Sequence, residues 1–361
     1  MKNIHLAALH MVPRVGHARI KSLIEHFGNA EQVWLASKDD LSASGCLDEM
    51  LCNKIVNCRE KIDVSKLSGD LEKKGIGFVS LWEDTYPALL ANTYNPPALL
   101  YYRGTLPLNE KLIAIVGSRR ATAYGRSVCK MLASELAAAG VGIVSGAARG
   151  IDSAAHMGAL EKGYTIAVLG NGIDVCYPPE NARLFEQIVE KGALVSEYPP
   201  GTMPQPKLFP ARNRIINGLS RGVLVVEAAE RSGSLITADF ALEEGRDVFA
   251  VPGSILSGTS KGTHYLIKQG AKLVDCAADV LEEYGWSGLE RASKPHLLSA
   301  EEQSVLNVLQ PDNPVGIDEI ILQTQLPVPT ITHILLQLEL QDLVIGYGGQ
   351  RYMRTAREGT R

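Results

Sequence analysis

The stretch Lys111-Leu112-Ile113-Ala114-Ile115-Val116-Gly117 decides the fold. Its apolar run, rich in β-branched residues and closed by a glycine, reads as a strand buried on both faces. Runs of the same kind return at Gly142–Ser145, Tyr164–Leu169, Ala193–Ser196, Gly222–Val226 and Asp247–Val251. Between them lie stretches with helical spacing at Gly125–Ala139, Ile151–Lys162, Asn181–Lys191, Ala211–Leu219 and Leu235–Glu244. Strands buried on both faces that alternate with helices specify an α/β protein with a parallel sheet.

Upstream the pattern is helical. Ile4, Leu6, Ala7, Leu9 and His10 lead into Val12-Pro13-Arg14-Val15-Gly16, and Ile20, Leu23, Ile24 and Phe27 follow at helix spacing. Helix, tight turn, helix resembles a helix-hairpin-helix, whose glycine turn can offer N–H groups to a phosphate; a small helical domain that only packs fits equally well. Residues 1–70 are therefore expected to form a small all-α domain. From Gly75 to Gly104 short extended pieces broken by Pro87, Pro96 and Pro97 suggest a docking segment, and the α/β domain is assigned to 75–286. Residues 287–298 lack periodicity and read as a linker. The tail, 299–356, reads as helices near Ala300–Leu309, Gly316–Thr324 and Pro329–Leu340, then a short hairpin, the order of a winged helix.

Composition narrows the function. The chain has 361 residues, 45% of them hydrophobic and 21% charged, which describes an ordinary globular protein. No apolar run is long enough to cross a bilayer and the start does not resemble a signal peptide, so a cytoplasmic location is expected. Six cysteines without a CxxC pair indicate neither a zinc site nor a redox dithiol, and no metal or cofactor is expected. A net charge of −4 excludes coating of nucleic acid by bulk charge and confines any such binding to local patches.

Ligands in open parallel sheets bind where βα turns open at the carboxyl ends of strands. Four motifs sit at such ends. Gly117, Ser118 and Arg119, with Arg120, follow the deciding strand; they lack the GxGxxG spacing of a dinucleotide site but can hold a phosphate. Ser145 and Gly146 begin a run of small residues reaching Asp152 and His156, which lie one helical turn apart and can pair, although capping of the turn is the plainer role. Lys207, Phe209, Arg212, Asn213 and Arg214 place cations beside an aromatic, as a single strand requires, while core packing of Phe209 is an even alternative. Ser232, Gly233 and Ser234 precede a helix as an anion site or an ordinary cap. The windows Lys111–Ser134 and Tyr198–Val226 contain no acid, so two local positive walls are expected.

In order, Ile115–Arg119, Ser145–Asp152 with Ala155-His156, Ser196-Glu197-Tyr198, Phe209–Ser220, Val226-Glu227-Ala228, Ser232–Leu235 and Val251-Pro252-Gly253 resemble the motifs of the DNA-processing protein A family, also called Smf. The resemblance covers Gly75 to Gly285 and implies a Rossmann-like domain. It further implies a non-enzymatic protein of natural transformation and recombination that binds and protects single-stranded DNA, helps load the RecA recombinase and forms a homodimer through that domain. It places the strand on Arg119 and on Lys207, Phe209, Arg212 and Arg214. The competing reading is a nucleoside-monophosphate phosphoribohydrolase on a related scaffold, with Glu227 or Asp152 as its acid; the Pro-Gly-Gly-x-Gly-Thr-x-x-Glu segment usual in such enzymes does not occur. The expected recognition helix of the winged helix, Pro329–Leu340, carries no Lys or Arg, which favours a protein contact or weak duplex binding and counts against a duplex-reading regulator.

Overall fold

The computed structural model describes residues 3–107, 111–286, 298–310, 313–340 and 343–354. It divides into two compact units, Met1–Leu289 and Glu290–Arg361. The expected linker, 287–298, lies outside the described residues except for Leu298.

The first unit begins with helices α1 (Ile4–His10), α2 (His17–Phe27), α3 (Ala30–Leu35), α4 (Lys38–Ala43), α5 (Glu49–Arg59) and α6 (Val64–Lys73). Side-chain caps start several of them: Asn29 caps α3, Ser37 caps α4 in a reciprocal capping box, and Asp48 and Asp63 cap α5 and α6. The turn between α1 and α2 falls where the sequence places it. Its left-handed residue is Arg14 (φ 74°), whereas Gly16 is extended.

The extended pieces that follow are more than a docking segment. Strands β1 (Gly77–Ser80) and β2 (Leu99–Gly104), with the short helix α7 (Ala88–Ala91) between them, pair antiparallel with each other. β2 in turn pairs antiparallel with β6 (Ala193–Ser196) and so extends the main sheet. The remaining elements alternate as expected: β3 (Leu112–Val116), α8 (Ala123–Ala138), β4 (Gly142–Ser145), α9 (Ile151–Lys162), β5 (Thr165–Leu169), α10 (Ala182–Lys191), β6, α11 (Leu208–Leu219), β7 (Gly222–Val225), α12 (Gly233–Glu243), β8 (Asp247–Ala250), α13 (Lys261–Lys268), β9 (Lys272–Leu273) and α14 (Ala277–Glu283). The strand order is β1-β2-β6-β5-β4-β3-β7-β8-β9, and every pairing from β6 to β9 is parallel. The chain runs outward from β3 through β4 to β6, then returns to β7 on the other side of β3. This is Rossmann-like winding, with its topological switch point between β3 and β7.

Alternation along each strand separates two apolar layers. Leu112, Ala114 and Val116 of β3 face the layer built with α7, α11, α12 and α13, while Ile113 and Ile115 face α8, α9 and α14. On this second side, the N-terminal helices pack around α10 and β2 in one continuous core: Leu6, Leu9 and Trp34 belong with Tyr101, Phe185 and Ile188. The helical segment thus shares its core with the sheet. His10 stacks on Tyr101, with ring centroids 5.8 Å apart.

The second unit contains α15 (Ala300–Val308), β10 (Val315–Gly316), α16 (Ile317–Thr324), α17 (Val328–Leu340), β11 (Val344–Tyr347) and β12 (Arg351–Arg354). Its sheet, ordered β10-β12-β11, gives the hairpin a third strand that sequence periodicity is too short to reveal. α17 buries Ile331, Ile334, Leu335 and Leu338 and exposes Thr332 and His333, completing a winged helix. Among the described residues no helix is long and apolar enough to cross a membrane.

One fully buried histidine, His156, and one partly buried histidine, His10, make the fold sensitive to acid. Burial lowers His10 to about 4 and His156 to about 3 from an ordinary 6.5. Below pH 6.5 the unfolded chain takes up protons that the folded chain refuses, so stability present at neutral pH is lost as the pH falls through 6 and 5 toward 4. Each histidine contributes a slope on the order of 1 kcal/mol per pH unit in that window. The thermal midpoint is expected to drop between pH 7 and 4, and less steeply in His10→Phe; parallel curves for the two proteins would contradict this account.

Candidate functional site

At the switch point the loops after β3, β4 and β7 are laced together through one residue. The backbone N–H of Ser118 donates to the carbonyl of Glu227 at 2.8 Å, and the Ser118 carbonyl accepts from the N–H of Ile151 at 3.2 Å. The close approach of the β3 and β4 loops requires Gly150, which has φ 80° and leaves no room for a Cβ against the Ser118 carbonyl.

A crevice of about 630 Å³ opens above these loops. It gathers Gly117, Ser118, Arg119, Phe209, Arg212, Asn213, Ser232, Gly233 and Ser234, motifs from three separate strand ends. Arg119 and Arg120 are exposed at its wall. Ser232 caps α12, its hydroxyl accepting from the N–H of Ser234 at 3.3 Å, so this helix starts at the crevice with the positive end of its dipole. The described residues include one acid on the crevice lining, Asp152, and it is buried.

The remaining expected contacts fall elsewhere. The Ser145 side chain is fully buried and its hydroxyl donates to the Ile115 carbonyl at 2.6 Å, a tie between β4 and β3 that leaves nothing for a ligand. Gly146 lines a smaller, more enclosed cavity beside the crevice, also bounded by Arg119, Tyr177 and Phe209, and its carbonyl accepts from Arg212. Lys207 is exposed just before α11, outside the crevice lining. Arg214 faces a different groove, near the α1–α2 turn, where it is ion-paired with Glu197 at 2.5 Å and donates to the Asn95 carbonyl at 2.5 Å. Glu197 stands one residue outside the acid-free window, so the positive wall expected there is partly neutralised from its own border.

Arg212 departs most from its expected role. Only 3% exposed, it donates to the carbonyls of Gly146 and Val168 at the ends of β4 and β5. Burial lowers its guanidinium to about 10, against the opposing pull of Asp152, and leaves it charged at neutral pH. Asp152 lies close enough to feel Arg212 and Arg119; burial pushes its carboxyl up while those cations hold it down. Arg212 and Asp152 are therefore the floor of the crevice and not its contact surface.

Asp152 and His156 do not pair, despite their spacing. Asp152 accepts from the Ala148 N–H at 3.3 Å, which orients the turn before α9 without capping that helix, and His156 Nδ1 meets Thr165 Oγ1 at 2.7 Å. Glu227, with Asp152 one of the two acids of the competing enzymatic reading, accepts from the N–H and hydroxyl of Thr122 at 2.9 and 2.5 Å and serves to anchor the start of α8. Sequence reasoning overlooked Tyr177. It stands 42% exposed in the loop after β5 and stacks on Phe209 with centroids 5.6 Å apart, while the Arg119 guanidinium lies 5.3 Å from the same Phe209 ring. The strand-end rule that located the other motifs applies to this loop too.

A Rossmann-like sheet with a cationic, aromatic-lined crevice at its switch point, preceded by helices and followed by a winged helix, is the class of protein that this fold and site define. The chain belongs to the DNA recombination-mediator protein A family, whose model matches residues 77–285, and residues 290–350 match the DprA winged helix domain. It is 46% identical over 272 residues to the DNA processing protein DprA of Streptococcus pneumoniae, covering 74% of this chain and 93% of that protein. It is 34% identical to the Protein Smf of Synechocystis, across 95% of this chain and 96% of that one. Among solved structures, DNA processing protein A from Streptococcus pneumoniae superposes with a TM-score of 0.68 at 42% identity, over 78% of this chain and 98% of that chain. The DNA processing protein A from Helicobacter pylori, solved for its single-stranded DNA binding mode, superposes with a TM-score of 0.53 at 31% identity, over 58% of this chain and 95% of that chain.

The division between floor and wall has a measurable consequence. Arg212→Met strands a buried carboxylate and two carbonyls and is expected to cost about 3 kcal/mol of stability. Arg119→Ala removes an exposed side chain and should stay within about 0.5 kcal/mol of the parent. Urea denaturation of both proteins measures this, and equal losses would refute the assignment.

Proposed function

We propose that the chain binds single-stranded DNA in the switch-point crevice and acts without catalysis, as a mediator that hands the strand to a RecA recombinase. The observation that carries the reading is the convergence of Arg119, Ser118, the α12 N-terminus and an aromatic pair on one open cleft. Cations and a helix N-terminus suit phosphates, and ring faces suit unpaired bases, whereas a stacked duplex offers no free base face. Family membership supports the same reading, as does the single-stranded DNA binding of the Helicobacter pylori relative. The sites of contact proposed are Gly117, Ser118, Arg119, Asn213, Phe209 and Ser232–Ser234, with Lys207 at the approach; Arg212, Ser145 and Gly146 act beneath them.

The non-catalytic part of the proposal rests on how the acids are used. Glu227 is held by the N–H and hydroxyl of Thr122, and Asp152 is buried and accepts from the Ala148 N–H, so each carboxyl has a structural role in the loops around the crevice. Transfer to RecA, and a homodimer built on the Rossmann-like domain in the cytoplasm, follow from the family resemblance. For the winged helix a protein contact is favoured, because α17 carries no Lys or Arg and exposes Val328 and Leu336 beside Thr332 and His333.

Fluorescence anisotropy with a labelled oligothymidine and a duplex of equal length tests the reading. The parent protein is expected to prefer the single strand, and Arg119→Ala to weaken that binding about tenfold at matched salt. Equal affinity for duplex and single strand, or unchanged binding by Arg119→Ala, would sink the crevice model. Release of free base from nucleoside monophosphates would restore the enzymatic reading.

A further inference from the structure

Phe209, the aromatic that the sequence singles out, is half-buried and already engaged. It rests against Gly170, where any Cβ would press on its ring at 2.7 Å, while Tyr177 stacks on it and the Arg119 guanidinium lies over it. Tyr177 lines both the crevice and the smaller cavity beside it, as Phe209 does, and is the more exposed of the two rings.

The loop that carries Tyr177 is fastened along its length. Asn171 Nδ2 donates to the Val175 carbonyl at 2.7 Å, and the Ser196 hydroxyl donates to the Asn171 carbonyl at 2.6 Å. The Gly172 N–H donates to the Thr202 carbonyl at 2.8 Å. Beyond the tyrosine, Pro178 is buried and Asn181 Nδ2 donates to the Ala147 carbonyl at 3.0 Å, tying the loop to the one after β4. A ring held this way loses little conformational freedom when a base lies on it, which is the condition for an efficient stacking platform.

We propose that Tyr177 is the base-stacking residue of the crevice: a base of the bound strand lies on its exposed face, outermost on the Arg119–Phe209–Tyr177 assembly, while Arg119 and the α12 N-terminus hold the adjoining phosphate. The inference rests on the crevice being the single-stranded DNA site. It changes the role of Phe209 from contact to support, and it makes the contact tolerant of base identity, since every base has a π-face.

Two probes separate stacking from charge: an oligothymidine, and the same sugar-phosphate chain with abasic positions throughout. Tyr177→Leu keeps apolar bulk without a ring, and Tyr177→Phe keeps the ring. Tyr177→Leu is expected to bind oligothymidine about tenfold more weakly, with Tyr177→Phe within about twofold of the parent. On the abasic chain all three should bind alike. Tyr177→Leu binding oligothymidine as the parent does, or losing affinity equally for both probes, overturns the proposal. Arg119→Ala, which should weaken both probes, distinguishes the failures: if it does so while Tyr177→Leu changes nothing, the crevice stands and only the stacking role falls.

Discussion

A single guanidinium holds the carboxyl ends of β4 and β5 together. Arg212 reaches from α11 to the carbonyls of Gly146 and Val168, with the Asp152 carboxyl near enough to balance its charge. Peptide carbonyls at strand ends have no ladder partner and must be satisfied when buried. Arg212 does this with a planar donor that stays charged at neutral pH. Gly146 is required by the same arrangement, because a Cβ there would occupy the space of the guanidinium. The ends of β4 and β5 beneath the crevice are thereby tied to α11, and the exposed arginines stand above this floor.

The parallel core was legible in sequence because its signal is local. Strands covered on both faces must be apolar throughout, so β3 to β8 appear as short unbroken runs, each within two residues of its observed bounds. β1 and β2 escaped recognition because β2 is a strand through its pairing with β6, about ninety positions away, and β1 only through its pairing with β2. The helical segment was recognisable as helical but not as part of the main core. That depends on Leu6, Leu9 and Trp34 meeting Phe185 and Ile188 from far along the chain.

The candidate site was legible in the same uneven way. Gly117, Ser118, Arg119, Phe209, Asn213 and Ser232–Ser234 were found because strand ends are where ligands gather, and the fold brings them to one cleft. The roles of individual cations were not legible. Arg212 and Arg214 look alike in sequence and lie two residues apart on a helix, yet one is buried under the crevice and the other faces a separate groove. Their partners, Val168 and Glu197, lie 44 and 17 positions away. Charge counted along a window cannot see such partners, so the two acid-free walls carry fewer free charges than their composition suggests.

The antiparallel addition at one side of the sheet has a consequence for solubility. Any open sheet ends in strands whose outer N–H and C=O groups can recruit a strand from another chain. Here β2 and β1 close off β6, and the final strand on that side has Phe78, Val79 and Ser80 buried under neighbouring elements. At the opposite end β9 spans just Lys272–Leu273, and its lysine is paired with Glu283. A long hydrophobic sheet therefore presents one covered edge and one edge only two residues long, which limits edge-to-edge pairing with another chain.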